Sequence, residues 1–579
     1  MLDMKQLKRL LKQDLTALPC VKAALLGDSA TQLLATALRG IGAERGLNLE
    51  LFEADYNQVE HQLMDIHSEL YDSGAEYIIL FQSTHKLAEH HAKLNTSAQE
   101  LLADERATFV EGVCKSPQMA DKKVICFNYP EIDDTVFGNY ANKVSASLTW
   151  QLRELNFKLM ELAKAIPNLY ICDLAALQNK VGRDRMFAPN IYTSTEMVLS
   201  VEVLPMVASR VLDIICALRG NFKKCIILDL DNTLWGGVIG DDGMEGIALG
   251  HGLGIGKAFS EFQQWVKKLR QRGIIVCICS KNDENKAKEP FEKHPDMVLR
   301  LDDIAVFQAN WENKVDNIRA IQQVLNIGFD AMVFVDDNPC ERAVVRENIK
   351  GICVPEMPED PACYLEYLYS LNLFETASFS TADGDRTRQY QVEAQRMQLA
   401  HLFTNEDDFM QSLDMKATVE GFTTFNTPRV AQLSQRSNQF NLRTVRYTEA
   451  DVAALAADDD VIDLSFTLGD RFGEHGLVAV VVMRPYDDPD TLFVETWLMS
   501  CRVLKRGMED FTLNTMVTRA KAAGYRRIVG EYLPTSKNNM VANHYTRLGF
   551  SPVASAKTNL YELDVDTYLA RPCFIKERK

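Results

Sequence analysis

Two carboxylates one residue apart, Asp229 and Asp231, end the apolar run Cys225-Ile226-Ile227-Leu228 in this 579-residue chain. On a tight turn at the end of a buried strand, such a pair can divide the work of phosphoryl transfer. The first carboxylate attacks phosphorus; the second protonates the leaving group and later activates water. Alone, an Asp-x-Asp pair equally describes a solvated turn. Further groups then follow in order. Ser280 ends a second apolar run, Lys314 opens a helical pattern after Asn310-Trp311-Glu312-Asn313, and Asp336-Asp337-Asn338 ends a third run. A transferring phosphoryl group needs a nucleophile, a cation against carboxylate–phosphate repulsion and donors for its equatorial oxygens. Ser280 and Lys314 supply donors. Asp229, Asp336 and the main-chain carbonyl of Asp231 suit Mg²⁺, which prefers hard oxygen ligands in octahedral geometry.

Open α/β sheets hold ligands at the carboxyl ends of their strands, so strands must carry these residues. Strand patterns at Cys225–Leu228, 274–279, Met332–Val335 and 351–354 alternate with amphipathic helices. An earlier alternation has strand runs at 21–26, 77–82, 124–127 and Leu169–Cys172, and also implies a parallel sheet flanked by helices. The C-terminal part reads as antiparallel strands with two helices. The expected class is α/β, with an N-terminal domain at 1–218, a central domain at 219–373, a polar helical connector at 374–412 and an α+β domain at 413–579.

Taken together, Asp229-Leu230-Asp231-Asn232-Thr233, Ser280, Lys314 and Asp336-Asp337 resemble the four motifs of the haloacid-dehalogenase superfamily. That resemblance implies a Rossmann-like core and an aspartyl-phosphate on Asp229. Neither 232–279 nor 281–313 leaves room for a large cap domain, so the site is expected to be open. The Gly-rich stretch from Trp235 to Gly243 is then a short flap. It lacks the G-x-x-x-x-G-K-[ST] pattern of a P-loop.

Near the C-terminus, Arg502-Val503-Leu504-Lys505-Arg506-Gly507 follows a strand pattern and opens a helix, a natural place for a phosphate. With Asn538 and the run Tyr545-Thr546-Arg547-Leu548-Gly549-Phe550, it resembles the phosphate loop and later motif of acyl-CoA N-acetyltransferases. Lys505 stands where that family has Gly, and Val541 where it commonly has Ala. Arg502, Lys505, Arg506, Gly507, Asn538 and Tyr545 are thereby implied as contacts for phosphopantetheine. The two domains in this order, with Ser437-Asn438-Gln439-Phe440-Asn441-Leu442 and Arg471-Phe472-Gly473-Glu474-His475-Gly476-Leu477, resemble the FkbH-like proteins of haloacid-dehalogenase subfamily IIIC. That family is similar to glyceryl transferase/phosphatases. The resemblance implies that 1,3-bisphosphoglycerate loses phosphate and that glyceryl passes as a thioester to an acyl carrier protein. A thioester relay needs a cysteine. Cys501 is the preferred acceptor and His475 its expected base, with Cys340 and Cys225 as competitors.

Leu26-Gly27-Asp28-Ser29 resembles the nucleophile block of SGNH hydrolases. The late stretch 190–203 offers no His base, and His85 falls in the wrong part of the pattern. The expectation is an SGNH-like domain that docks rather than hydrolyses.

A net charge of −17 opposes non-specific binding to nucleic acid or anionic membrane. No window approaches the apolar length of a spanning helix. Thirteen cysteines without repeated C-x-x-C spacing suit a reducing cytoplasm. Two other readings stay open: a Mg-dependent phosphatase of a small phosphomonoester or phosphoprotein with flanking recognition domains, and a non-enzymatic biosynthetic scaffold.

Overall fold

A computed structural model describes residues 2–379, 387–388, 390–392, 396, 403, 405–500, 503–504, 506–535, 537–553 and 559–578. It divides into two compact units, Met1–Cys216 and Ala217–Lys579. The first is built on a parallel sheet of β1 (Cys20–Gly27), β2 (Asn48–Glu53), β3 (Tyr77–Phe81), β4 (Lys123–Phe127) and β5 (Leu169–Cys172), in the order β2-β1-β3-β4-β5. Its central strands are apolar and buried because helices cover both faces. The edge strand β2, Asn48-Leu-Glu-Leu-Phe-Glu, escaped the sequence reading because only one of its faces is apolar.

The second unit holds two sheets. The first consists of β6 (Cys225–Leu228), β7 (Ile275–Ser280), β8 (Val306–Ala309) and β9 (Met332–Val335), all parallel in the order β8-β7-β6-β9. Every residue of β6 is fully buried, each large apolar side chain contributing roughly 1.5–3 kcal/mol. One expected strand is corrected. Residues 351–354 form only an isolated bridge, Val333 to Cys353, and the fourth strand is β8. Short apolar runs do not reveal which of them wins the ladder.

The second sheet contains β10 (Lys416–Glu420), β11 (Ile462–Asp470), β12 (Gly473–Pro485), β13 (Thr491–Met499), β14 (Arg527–Glu531), β15 (Ser551–Pro552), β16 (Leu560–Asp564) and β17 (Lys576–Glu577). Its order is β15-β16-β14-β13-β12-β11-β10-β17. The ladders are antiparallel except at β13–β14 and β10–β17. A register shift after Val482 marks a bulge where β12 meets β13. The expected two helices are exceeded: Thr427–Arg436, Glu449–Ala456 and Met508–Ala522 are all present. Much of 380–404 in the expected connector lies outside the described residues; helix Glu406–Ser412 follows it. Among the described residues no helix is long and apolar enough to cross a membrane.

Candidate active site

Three asparagine or aspartate caps set the helices around the carboxyl edge of the central sheet. Asp283 Oδ1 accepts the amides of Asn285 and Lys286 at 3.1 Å and starts helix Glu284–Lys293 after β7. Asn313 Oδ1 accepts the Asp316 amide at 2.9 Å and makes Lys314 the first residue of helix Lys314–Leu325. Asn338 Oδ1 accepts the Cys340 amide at 2.9 Å, and Pro339 sits at the first position of helix Pro339–Asn348. Each helix therefore begins where its strand delivers a functional residue.

Three of the expected residues converge there. Lys314 Nζ lies 2.8 Å from Asp229 Oδ2 and 2.5 Å from Asp336 Oδ2, and all three side chains are buried. Asp337 joins them: oxygens of Asp229, Asp336 and Asp337 all lie within 4.8 Å of one another. Three carboxylates thus face one ammonium. Burial, then mutual repulsion, raises the proton affinity of Asp229, while Lys314 opposes the rise. Asp336 and Asp337 are raised by burial as well. Burial would discharge Lys314, but Asp229 and Asp336 outweigh it and hold the ammonium charged. The hard-oxygen donor set and its surplus of negative charge fit Mg²⁺.

The Asp231 carboxylate stands apart from that cluster. Its Oδ1 accepts the Trp235 indole N–H at 2.9 Å and the Ile239 amide at 3.0 Å, and its Oδ2 accepts Asn282 Nδ2 at 2.8 Å. Two of these donors belong to the expected flap, which is pinned by paired amides of Gly236 and Ala248 at 3.1 and 2.8 Å. Asn232 takes the left-handed conformation (φ 53°) and accepts the Gly237 amide at 2.9 Å, bending the chain from strand into flap. Ser280 is buried at the end of β7, and its Oγ accepts Asn282 Nδ2 at 3.1 Å.

Sequence reasoning missed Asn282, which ties Ser280 to Asp231. It also missed Thr233, whose Oγ1 accepts the Asp337 amide at 3.2 Å, and Arg342, which donates to the carbonyls of Asp336 and Asp337 at 2.9 and 2.6 Å. Asp337 was seen in the motif but not as a cluster member. Adjacency to Asp336 was the available signal.

In the C-terminal domain, His475 is 3% exposed, with Nε2 lying 3.1 Å from Asp470 Oδ2 and 3.2 Å from Arg506 Nη1. Burial lowers its proton affinity; Asp470 resists, while Arg506 and Arg396 reinforce the lowering. Arg396 Nε also lies 2.6 Å from Asp470. Arg506 therefore faces this network, and Gly507, in the left-handed region (φ 77°), caps helix Met508–Ala522. Asn538 is fully buried: Nδ2 donates to the carbonyls of Asn441 and Leu533, both at 2.9 Å, and Oδ1 accepts the Thr535 amide at 2.7 Å. Tyr545 is buried and stacked on Tyr561, its ring occupying the space a side chain on Gly530 would need. In this conformation Asn538 and Tyr545 serve the core rather than an open cleft. Cys501, Arg502 and Lys505 lie outside the described residues. Of the competing thiols, Cys340 is exposed. Cys225 is fully buried 3.9 Å from Cys277, and burial raises its thiol far above the ordinary range, which removes it as an acceptor. In the first unit, Ser29 is buried just past β1, and His85 packs edge-on against Phe187 at 4.8 Å.

Residues 22–216 match the family described as FkbH, N-terminal domain. The N-terminal part of the protein BF1531 from Bacteroides fragilis, a structure containing a phosphatase domain and complexed with Mg, is 60% identical. It aligns over 66% of this chain and 100% of its own, with a TM-score of 0.64. Two N-acetyltransferase-fold structures match weakly. The ribosomal-protein-S18-alanine N-acetyltransferase from Escherichia coli is 14% identical over 25% of this chain and 90% of its own (TM-score 0.19). The GNAT domain of S. lividans PAT is 18% identical over 25% and 89% (TM-score 0.21). No curated protein matches the chain. With its carboxylate cluster at the edge of β6 and its 60% identity to the BF1531 structure over that structure's whole length, the chain belongs to the FkbH-like family, as an enzyme centred on a phosphatase domain.

Proposed function

We propose that the chain converts 1,3-bisphosphoglycerate into an enzyme-bound glyceryl thioester with loss of phosphate, and hands glyceryl to the phosphopantetheine of an acyl carrier protein. The observation that carries this reading is the buried Lys314 bridging Asp229 and Asp336, with Asp337 beside them. Asp229, Asp336 and Asp337 would hold Mg²⁺, as the BF1531 relative holds Mg, with the main-chain carbonyl of Asp231 as a further oxygen. The metal would offset repulsion between carboxylates and phosphate. Asp229 attacks the phosphorus of the 3-phosphate, and the bond from phosphorus to the C3 oxygen breaks. Asp231 gives that oxygen its proton, then takes one from the water that hydrolyses the aspartyl-phosphate. To do so Asp231 exchanges a donor of Trp235, Ile239 or Asn282 for substrate, so the flap sets its timing. Ser280 and Lys314 donate to the transferring group.

At the other end of the substrate, the thiolate of Cys501 attacks the acyl carbon. The bond to the acyl phosphate oxygen breaks and phosphate leaves. His475, neutral and tied to Asp470, is the candidate base. Arg502, Lys505, Arg506 and Gly507 would meet the phosphate of the carrier's arm. The first unit, SGNH-like at its Gly27-Asp28-Ser29 block, is read as a docking domain.

The test is incubation of the full chain with 1,3-bisphosphoglycerate, Mg²⁺ and a holo-carrier protein, followed by the carrier's mass. A glyceryl increment, with an enzyme adduct lost in Cys501→Ala, supports the proposal. Phosphate release with an unchanged carrier overturns the transfer and leaves the plain phosphatase.

A further inference from the structure

The parallel sheet of the first unit has a carboxyl edge of its own, and a cavity of about 250 Å³ opens there. In the order β2-β1-β3-β4-β5, the chain leaves β1 toward β2 and leaves β3 toward β4. These connections part in opposite directions, and the crevice between such strands is where open α/β sheets hold small ligands. Residues from both sides of it line the space: Asp28 follows β1, Ser83 follows β3 and Tyr129 follows β4. Arg106 reaches it from helix Leu102–Lys115.

Two opposite charges border this cavity without meeting. Asp28 Oδ2 accepts the Ser83 amide at 2.8 Å, but the buried Oδ1 accepts no hydrogen bond. A buried acceptor without a donor costs about 1–3 kcal/mol and calls for a partner from outside the chain. Burial raises the Asp28 carboxyl to about 6, against the Ser83 amide, the neighbouring Ser83 and Ser29 hydroxyls and the charge of Arg106. The Arg106 guanidinium stands 5.0 Å from the centre of the Phe109 ring, with the Tyr129 hydroxyl beside it. Its charge is felt at Asp28, yet no ion pair joins the two. The other charges around the space are engaged or exposed. Lys86 Nζ lies 2.5 Å from Glu196, His90 is exposed and 3.9 Å from Glu105, and Glu60 is exposed. Val59 and Leu87 add a small apolar wall.

We infer that this cavity binds an amino-acid zwitterion, its ammonium on Asp28 Oδ1 and its carboxylate on Arg106. Hydrogen bonds between ionised partners are the strong ones, and a guanidinium meets a carboxylate at two points. The volume falls below the roughly 300–1,000 Å³ of drug-sized pockets, which suits a ligand this small. Asp28 rather than Ser29 lines the space, so the ligand is held and not cleaved. The inference stands apart from phosphoryl transfer at Asp229 and from thioester transfer, since every residue it uses belongs to the first unit.

The test is equilibrium dialysis of the full chain against an equimolar mixture of the twenty standard L-amino acids, with retained solute read by mass spectrometry. At least one is expected to be retained. Its Kd should rise tenfold or more in Asp28→Asn and in Arg106→Gln, each removing one charge-assisted contact. The N-acetyl and α-amide derivatives of the retained amino acid probe its two ends separately, and both should bind at least tenfold more weakly. Should Asp28→Asn fail to fold, Arg106→Gln at its half-buried position and the two derivatives carry the test. Retention of no amino acid, which leaves water as the occupant, or affinity unchanged in the variants or the derivatives overturns the inference.

Discussion

The second unit buries two charge clusters, and they are balanced in opposite ways. Around Asp229 three carboxylates share one lysine; around Asp470 one carboxylate is shared by Arg396, Arg506 and His475. The first has negative charge to spare and is completed by something cationic. In the second, burial pushes Asp470 up, but His475 and Arg396 outweigh it and hold the carboxylate far below the usual range. Burying charge costs several kcal/mol per ion unless it is matched. A buried cluster with negative charge to spare therefore signals a cationic ligand, while a carboxylate held by guanidiniums serves equally well as a strut or as the anchor of His475.

The largest expected effect is at the unmatched cluster. Asp229→Asn removes the nucleophile and is expected to lower phosphate release at least a thousandfold. Thermal unfolding in chelator should be unchanged or raised, since one repelling carboxylate is gone. Lys314→Met should cost about a hundredfold in turnover and, in chelator, about 3 kcal/mol of stability, because two buried carboxylates, with the half-buried Asp337 beside them, lose their cation. Denaturant unfolding with and without Mg²⁺ measures both, and added Mg²⁺ should recover part of the stability.

The Asp470 cluster should answer differently. Asp470→Asn removes the carboxylate that two buried guanidiniums share and is expected to cost about 3 kcal/mol. Phosphate release from a small phosphomonoester should fall only a fewfold. A collapse of that activity would mean the two clusters are not separate devices.

Acid sharpens the same contrast, because the shifts have opposite signs. His475 is lowered, so its contribution to stability is present above about 6.5 and is lost as pH falls through the depressed value. Asp229 and Asp336 are raised, so in chelator they take up protons before the unfolded chain does, and acid relieves their repulsion. Hydrogen exchange at pH 7.5 and 5.5 in chelator should show protection falling around β12 and holding or rising around β6. The smallest effect is Trp235→Phe, which removes one donor from Asp231 and should change turnover by roughly threefold to tenfold.

Much of the central site was legible because each residue ends or begins an element. Asp229, Ser280 and Asp336 follow or close buried β-branched runs, and Lys314 follows an Asn cap. What escaped depends on contacts across elements. Asn282 acts through Asp231, 51 positions away. Arg342 is positioned by a helix the sequence reading described only as amphipathic. The exchange of 351–354 for β8 has the same origin, since pairing is decided by packing rather than by the strand's own residues. In the C-terminal domain the motifs located Arg506 and His475, but nothing in the sequence linked them to Asp470 and Arg396. That network exists only once β11 and β12 come together with Arg396 and Arg506.

The central claim is that Asp229 carries the phosphoryl group. Rapid acid quench of the full chain turning over with Mg²⁺, followed by borohydride reduction and peptide mapping, tests it most directly. Reduction of a phosphoaspartate leaves homoserine, and the account predicts it at position 229 alone. Reduction at another position, or undiminished phosphate release from Asp229→Asn, would contradict it.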